Sequence, residues 1–85
     1  MPTAVDFLKN HIPTRIDDSG VEVFRWVTRE GLIAESPVDY VTGRFGPTIE
    51  AALSGGQDIV QAIASGDFDE GWKDTFSLWQ EQRLI

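Results

Sequence analysis

Residues 14–31 read TRIDDSGVEVFRWVTREG, and this stretch decides between a helical and a mixed fold. Ser19 and Glu22 have the spacing of a capping box, and a glycine closes the stretch where a helix would end. The same letters also predict a hairpin, because DDSG is a favourable turn and VEVFRWVT is rich in β-branched and aromatic side chains. The start and stop signals agree with each other, so we predict a helix over residues 20–30, with a β-hairpin over residues 14–28 as the alternative.

Start and stop signals divide the rest of the chain into short helices. Pro37 and Pro47 each stand at a favourable first helical position, and glycines follow most of the periodic apolar runs. The further capping-box spacings pair Thr3 with Asp6, Ser36 with Asp39, and Asp67 with Glu70. The predicted helices cover residues 3–11, 20–30, 37–42, 47–54, 57–65 and 68–82. The sequence therefore predicts a mostly α fold, a small single-domain bundle of about five to six short helices over residues 1–85, or an α+β fold if residues 14–28 form a hairpin.

The chain is strongly acidic, and the acidity is uneven. It has 85 residues, with 14 Asp and Glu against 7 Lys and Arg, for a formal net charge of −7. Residues 47–85 hold seven of the acids and two of the bases. An acidic field repels phosphates and anionic lipids and attracts basic protein surfaces. The charge favours a protein partner with a basic surface and makes nucleic acid an unfavourable one.

Several classes of protein are disfavoured by composition. The sequence has no cysteine, which excludes disulfides, zinc–thiolate sites and a cysteine nucleophile. The opening residues MPTAVDFLKN lack the pattern of a secretory signal, and no run approaches the roughly 18 apolar residues of a membrane helix. We therefore expect a cytoplasmic protein without a membrane partner.

The stretch VTGRFGPTI, residues 41–49, carries two glycines between two apolar, helix-like runs. This pattern resembles the helix–GxxG–helix core of a KH domain, a module that binds single-stranded nucleic acid. The resemblance implies that the main chain of Gly43, Arg44, Phe45 and Gly46 would clamp a nucleic-acid backbone. Arg44 would supply the positive charge.

A second interpretation of this GRFG segment is a plain joint between two helices. Pro47 removes one N–H from the start of the second helix, and Glu50 places a negative charge where a phosphate would lie. No further base follows until Lys73. We prefer the joint and keep the KH-like nucleic-acid loop as an alternative.

No pattern in the sequence indicates catalysis or a metal. His11, the single histidine, falls in the last turn of a predicted helix, where its charge favours the helix C-terminus. An EF-hand loop beginning at Asp67 would need Gly at its sixth position and Glu at its twelfth, but Trp72 and Leu78 stand there. We expect no enzyme activity, no metal and no cofactor.

Aromatic and acidic residues near the C-terminus are the best candidates for binding. Trp72, Phe76 and Trp79 share one helical face, and we expect Trp72 and Phe76 to be core residues. Trp79 with Leu84 and Ile85 is the predicted exposed apolar patch, since tryptophan commonly anchors protein interfaces. Acids at Asp67, Asp69, Glu70 and Asp74 would steer a basic partner.

These features predict a small, acidic, non-catalytic protein-binding module. It would be an accessory or regulatory subunit, or an inhibitor whose acids mimic the phosphates of nucleic acid. Two alternatives remain open. One is the KH-like binder of single-stranded nucleic acid, and the other is a homo-oligomeric structural protein closed through Trp79, Leu84 and Ile85.

Overall fold

The computed structural model describes residues 3–85, which form helices and a small sheet around one core. The elements follow the order α1, β1, β2, β3, α2, α3, α4 along the chain. Their bounds are α1 Ala4–His11, β1 Thr14–Ile16, β2 Glu22–Val27, β3 Ile33–Pro37, α2 Val38–Gly55, α3 Ile59–Ala64 and α4 Glu70–Glu81. The predicted mostly α bundle is therefore wrong, and the α+β alternative is the fold that the structure supports.

The predicted helix over residues 20–30 is a strand, β2, in the centre of an antiparallel sheet of order β1-β2-β3. The turn that precedes β2 explains why the helix prediction is wrong. The Asp17 carboxylate accepts hydrogen bonds from the backbone N–H groups of Ser19 and Val21, both at 2.9 Å. Gly20 has a φ of 84°, which favours glycine. Ser19 therefore belongs to a hairpin turn and caps no helix.

A second hairpin joins β2 to β3, the strand that the sequence analysis missed. Gly31, with a φ of 83°, lies in this turn and does not end a helix. The backbone N–H of Thr28 donates to the carbonyl of Leu32 at 2.7 Å, and the Thr28 hydroxyl accepts from the Leu32 N–H at 3.1 Å. Pairing with two neighbours makes β2 a central strand, which a local capping pattern could not reveal.

The GRFG segment lies inside the continuous helix α2, so the predicted break between two helices is wrong. Phe45 is fully buried, together with Val41, Ile49 and Ala52 along the same helical face. Proline in a helix interior costs about 3 kcal/mol, and each fully buried large apolar side chain contributes about 1.5–3 kcal/mol. Burial of this stripe therefore outweighs the helix-breaking tendency of Pro47.

Only one of the capping boxes predicted from the sequence forms in the structure. Thr3 and Asp6 form the predicted capping box of α1. The Ser36–Asp39 and Asp67–Glu70 boxes do not form, because Pro37 and Asp69 occupy the two N-cap positions without a side-chain cap bond. At α3, the Asp58 carboxylate accepts from the N–H groups of Val60 and Gln61.

The core lies between the helices and one face of the sheet, the inner face, which carries Phe24 and Trp26. Trp79, Phe24 and Phe45 are its largest fully buried side chains. The register places Ser36 opposite Phe24 and Ala34 opposite Trp26, so these β3 residues also belong to the inner face. Within residues 3–85, no helix is long and apolar enough to cross a membrane.

Candidate functional site

The predicted apolar patch at the C-terminus is wrong, because Trp79 is fully buried, with 0% of its surface exposed. Its ring makes an edge contact with Trp26 at a centroid distance of 5.3 Å and lies 5.5 Å from Phe45. Leu84 and Ile85 are partly buried and pack against the core. The tail is held by the Leu84 N–H, which donates to the Trp79 carbonyl at 2.9 Å. Trp79 is therefore a core residue and presents no exposed surface to a partner.

The GRFG segment also lacks the geometry of a nucleic-acid clamp. All four residues are helical, so the main chain takes part in α2 and forms no loop. Phe45 has no exposed surface, and its ring contacts Phe68 at 5.0 Å and Trp72 at 5.4 Å. Arg44 is exposed, with one guanidinium nitrogen 3.7 Å from the Asp69 carboxylate. The segment is a structural part of the core.

The predicted acidic residues lie where expected, at the exposed start of α4 and just before it. Asp69 is the N-cap, and Glu70 is the first helical residue. Asp74 accepts a hydrogen bond from Arg29 at 2.8 Å. Asp67 and Glu70 have no ion-pair partner among residues 3–85. This end of the helix therefore carries negative charge that the described part of the chain only partly neutralises.

A groove opens between β3 and these first turns of α4, with a cavity volume of about 400 Å³. Tyr40 and Trp72 form an aromatic pair in its wall, with ring centroids 5.6 Å apart. Tyr40 is 56% exposed, and Trp72 is half-buried. The other lining residues are Trp26, Glu35, Ser36, Asp69, Gly71 and Thr75. We call this cavity and its continuation the β3–α4 groove.

The continuation runs toward the hairpin between β2 and β3. A second cavity of about 370 Å³ shares Trp26 and Thr75 with the first one, so the two are adjacent. Its far end is bounded by Arg29, which also pairs with Glu81 at 2.6 Å. The hydrogen bond to Glu81 is the largest cause of the raised pKa of the Arg29 guanidinium. Arg29 thus lies at one end of the groove among the acids Glu30 and Asp74, and its charge is balanced there by Asp74 and Glu81.

The aromatic wall of the groove packs against the core. Trp72 makes an edge contact with Phe45 on its core side, and Trp26 makes one with the buried Trp79. Each of these two side chains therefore lines the groove with part of its ring and contacts a core aromatic residue with another part. Aromatic rings held in this way lose little conformational entropy on binding, which favours their use as anchors.

The described lining of the β3–α4 groove includes no histidine. His11 lies outside the groove, with its ring 4.4 Å from Phe7 and its Nδ1 3.2 Å from the carbonyl of Leu84. No cluster of three or more His, Asp or Glu side chains suited to a metal ion occurs within residues 3–85. The groove itself presents aromatic faces, hydroxyl groups and carboxylates.

Of the four acids proposed from the sequence, Asp69 and Asp74 line this groove, whereas Asp67 and Glu70 are not among its lining residues. The sequence predicts Tyr40 in a helix over residues 37–42 and predicts no element over residues 33–36, where most of β3 lies. The alternation of exposed Ile33 and Glu35 with half-buried Ala34 and Ser36 is the period-two pattern of a strand. The residue types IAESP do not alternate between apolar and polar in the same way, since Ile33 is exposed and Ser36 is half-buried, so the sequence carries no such signal for β3.

No protein-family model, no curated protein and no solved structure matches this chain.

Proposed function

We propose that this protein is a non-catalytic module that binds a basic segment of another protein in the β3–α4 groove. The observation that carries the proposal is the pair of the exposed Tyr40 and the half-buried Trp72, which lines the groove together with the acid Asp69. Aromatic anchors next to negative charge suit lysine and arginine, whose stems pack on rings while their charged ends meet carboxylates. The protein would act as an accessory subunit, a regulator or an inhibitor, and the cytoplasm remains its proposed location.

The acids would speed association with the basic partner, and reversing their charge would place like charges against that partner and weaken the complex. Charges at the rim of an interface steer encounter, whereas buried aromatic side chains supply most of the binding energy. If the partner is a nucleic-acid enzyme, Asp67, Asp69, Glu70 and Asp74 would occupy its phosphate-binding surface. The sequence predicts Trp79 as the aromatic anchor, but Trp79 is buried. The proposed anchors are therefore Tyr40 and Trp72.

The test is affinity capture of the tagged protein from its native source, with nuclease present, followed by mass spectrometry. We expect a stoichiometric basic partner that the double variant D69K/E70K no longer retains. The matched control is Asp18→Lys, which reverses an exposed acid in the distant β1–β2 turn and should retain the partner.

Lysine at the start of α4 opposes the helix dipole and costs about 0.3–1 kcal/mol per substitution. Circular dichroism and thermal unfolding of each variant therefore accompany the capture. A folded D69K/E70K variant that retains every partner would refute the proposal. Recovery of nucleic acid in place of protein, in parallel samples without nuclease, would refute it as well.

A further inference from the structure

The outer edge of β3 is unpaired, and the hydrogen-bonding pattern of the sheet shows which of its groups point outward. Arg25 of β2 donates its N–H to Pro13 on the β1 side at 2.9 Å, and Thr28 donates to Leu32 on the β3 side at 2.7 Å. Backbone groups alternate between the two sides of an antiparallel strand. Odd-numbered residues of β2 therefore bond toward β1, and even-numbered residues bond toward β3.

The pairing register between β2 and β3 shows that the backbone groups of β3 alternate in the same way. Ala34 and Ser36 stand opposite Trp26 and Phe24, so their main-chain groups bond to β2. Ile33 and Glu35 stand opposite odd-numbered residues, so their N–H and C=O groups point away from the sheet. No other element or side chain among residues 3–85 bonds to the main chain of Ile33 or Glu35. Pro37 faces the same way, and proline is tolerated there because an edge position needs no N–H.

We propose that β3 pairs with an extended segment of the partner, which adds a fourth strand along this edge and lays alternate side chains in the β3–α4 groove. This inference rests on the proposed function and specifies the conformation and pattern of the segment. Strand addition at a sheet edge obtains affinity from main-chain hydrogen bonds and specificity from pockets for every second side chain.

The two sides of the added strand would meet different chemistry. Its inner-face side chains would lie beside Ser36, over the Tyr40–Trp72 pair and next to Asp69, which suits lysine or arginine. Its outer-face side chains would lie beside Ile33, which is 53% exposed and has Val27 directly across from it, and beside Glu35, whose carboxylate already pairs with Arg15 and Arg25. The expected segment therefore alternates basic and apolar residues. A second copy of this acidic chain is disfavoured by its net charge of −7.

The first experiment uses a synthetic peptide of alternating lysine and valine, about seven residues long, which is enough for one strand. Binding is measured by calorimetry or fluorescence anisotropy. Two derivatives carry N-methyl groups either on every lysine amide or on every valine amide. Only one set of amides can face β3, so we expect one derivative to bind about tenfold more weakly or worse and the other to bind normally.

The second experiment changes the edge itself. Glu35→Pro removes the outward N–H, and Glu35→Gln retains it while removing the carboxylate that pairs with Arg15 and Arg25. Ile16→Pro places the same residue type at an outward position of the opposite edge, on β1. We expect Glu35→Pro to lose peptide binding about tenfold, and the two controls to retain it.

The outcomes separate the two proposals. Equal binding of both N-methyl derivatives, or equal loss in both, would overturn strand addition even if Glu35→Pro failed to fold. If the peptide does not bind while D69K/E70K still abolishes partner capture, strand addition is wrong and the proposed function stands. If D69K/E70K also leaves capture unchanged, both are wrong.

Discussion

Helices α2 and α4 both carry residues that the sequence marks for binding, and the fold uses them in opposite ways. In α2, Phe45 of the GRFG segment is enclosed by the rings of Phe68, Trp72, Phe76 and Trp79, while Gly43 and Arg44 are exposed. Helix α4 begins at an exposed acidic end and finishes in the core at Trp79. An amphipathic stripe predicts which face of a helix is apolar, but the neighbouring elements decide how deeply each turn is buried.

The largest expected effect concerns the enclosed helix. Phe45→Ala should lower the free energy of unfolding by about 3–5 kcal/mol, because it empties the centre of the aromatic core. Urea unfolding followed by tryptophan fluorescence measures the change. The neighbouring control, Arg44→Ala, should change stability little, since Arg44 is exposed. If both substitutions changed the free energy of unfolding equally little, Phe45 would not be enclosed in the core.

At the open end of α4, Trp72→Ala should cost less, about 1–2 kcal/mol, because the side chain is only half-buried. It should also abolish capture of the basic partner, since it removes half of the aromatic pair. Trp72→Phe, which keeps an aromatic face, is the matched control and should retain most of both properties. A loss of stability as large as that of Phe45→Ala would place Trp72 in the core and weaken the proposed groove.

A third prediction concerns Glu50, which the sequence analysis weighed only as a charge unfavourable to phosphate. Its carboxylate accepts a hydrogen bond from the backbone N–H of Ala4 at 3.1 Å and so joins α2 to the start of α1. Glu50→Ala should destabilise the protein by about 1 kcal/mol, measured by thermal unfolding. Glu50→Gln keeps an acceptor oxygen and should lose less, and equal losses would exclude the hydrogen bond as the cause.

The smallest expected effect is a gain in stability at Gly43. A Cβ at this position meets no atom within 4 Å, and the residue is helical, so Gly43→Ala should stabilise α2 by about 0.5–1 kcal/mol. Gly20→Ala is the contrasting control, because its φ of 84° makes alanine unfavourable there. Destabilisation by Gly43→Ala in denaturant titration would indicate a break in α2 and would revive the predicted loop.

The parts of the fold that local chemistry determines could be predicted from the sequence. The Thr3–Asp6 capping box, and the helices that became α1, α3 and α4, need only neighbouring residues for their explanation. The helix predicted over residues 20–30 was wrong because β2 is stabilised by pairing with β1 and β3, and a capping-box spacing contains no information about such partners.

The same limit applies to the candidate site. The exposed acids of α4 could be predicted from charge alone, because charged residues are rarely buried without a partner. The burial of Trp79 could not be predicted, since it depends on Trp26 and Phe45, which come from distant parts of the chain. Tyr40 enters the groove because β3 leads directly into α2, with Pro37 as both the last residue of the strand and the N-cap residue of the helix.

The contacts of Arg29 and Gln82 have a consequence for how the molecule opens. Arg29, in the β2–β3 turn, bonds to Asp74 and Glu81, which lie about two turns apart on α4. The Gln82 amide donates to the carbonyl of Val27, at the end of β2. The hairpin and α4 are thus joined at several points and should behave as one cooperative unit in native-state hydrogen exchange. Their amides would exchange together, through a shared opening, while those of Ile33 and Glu35 would exchange rapidly from the closed state.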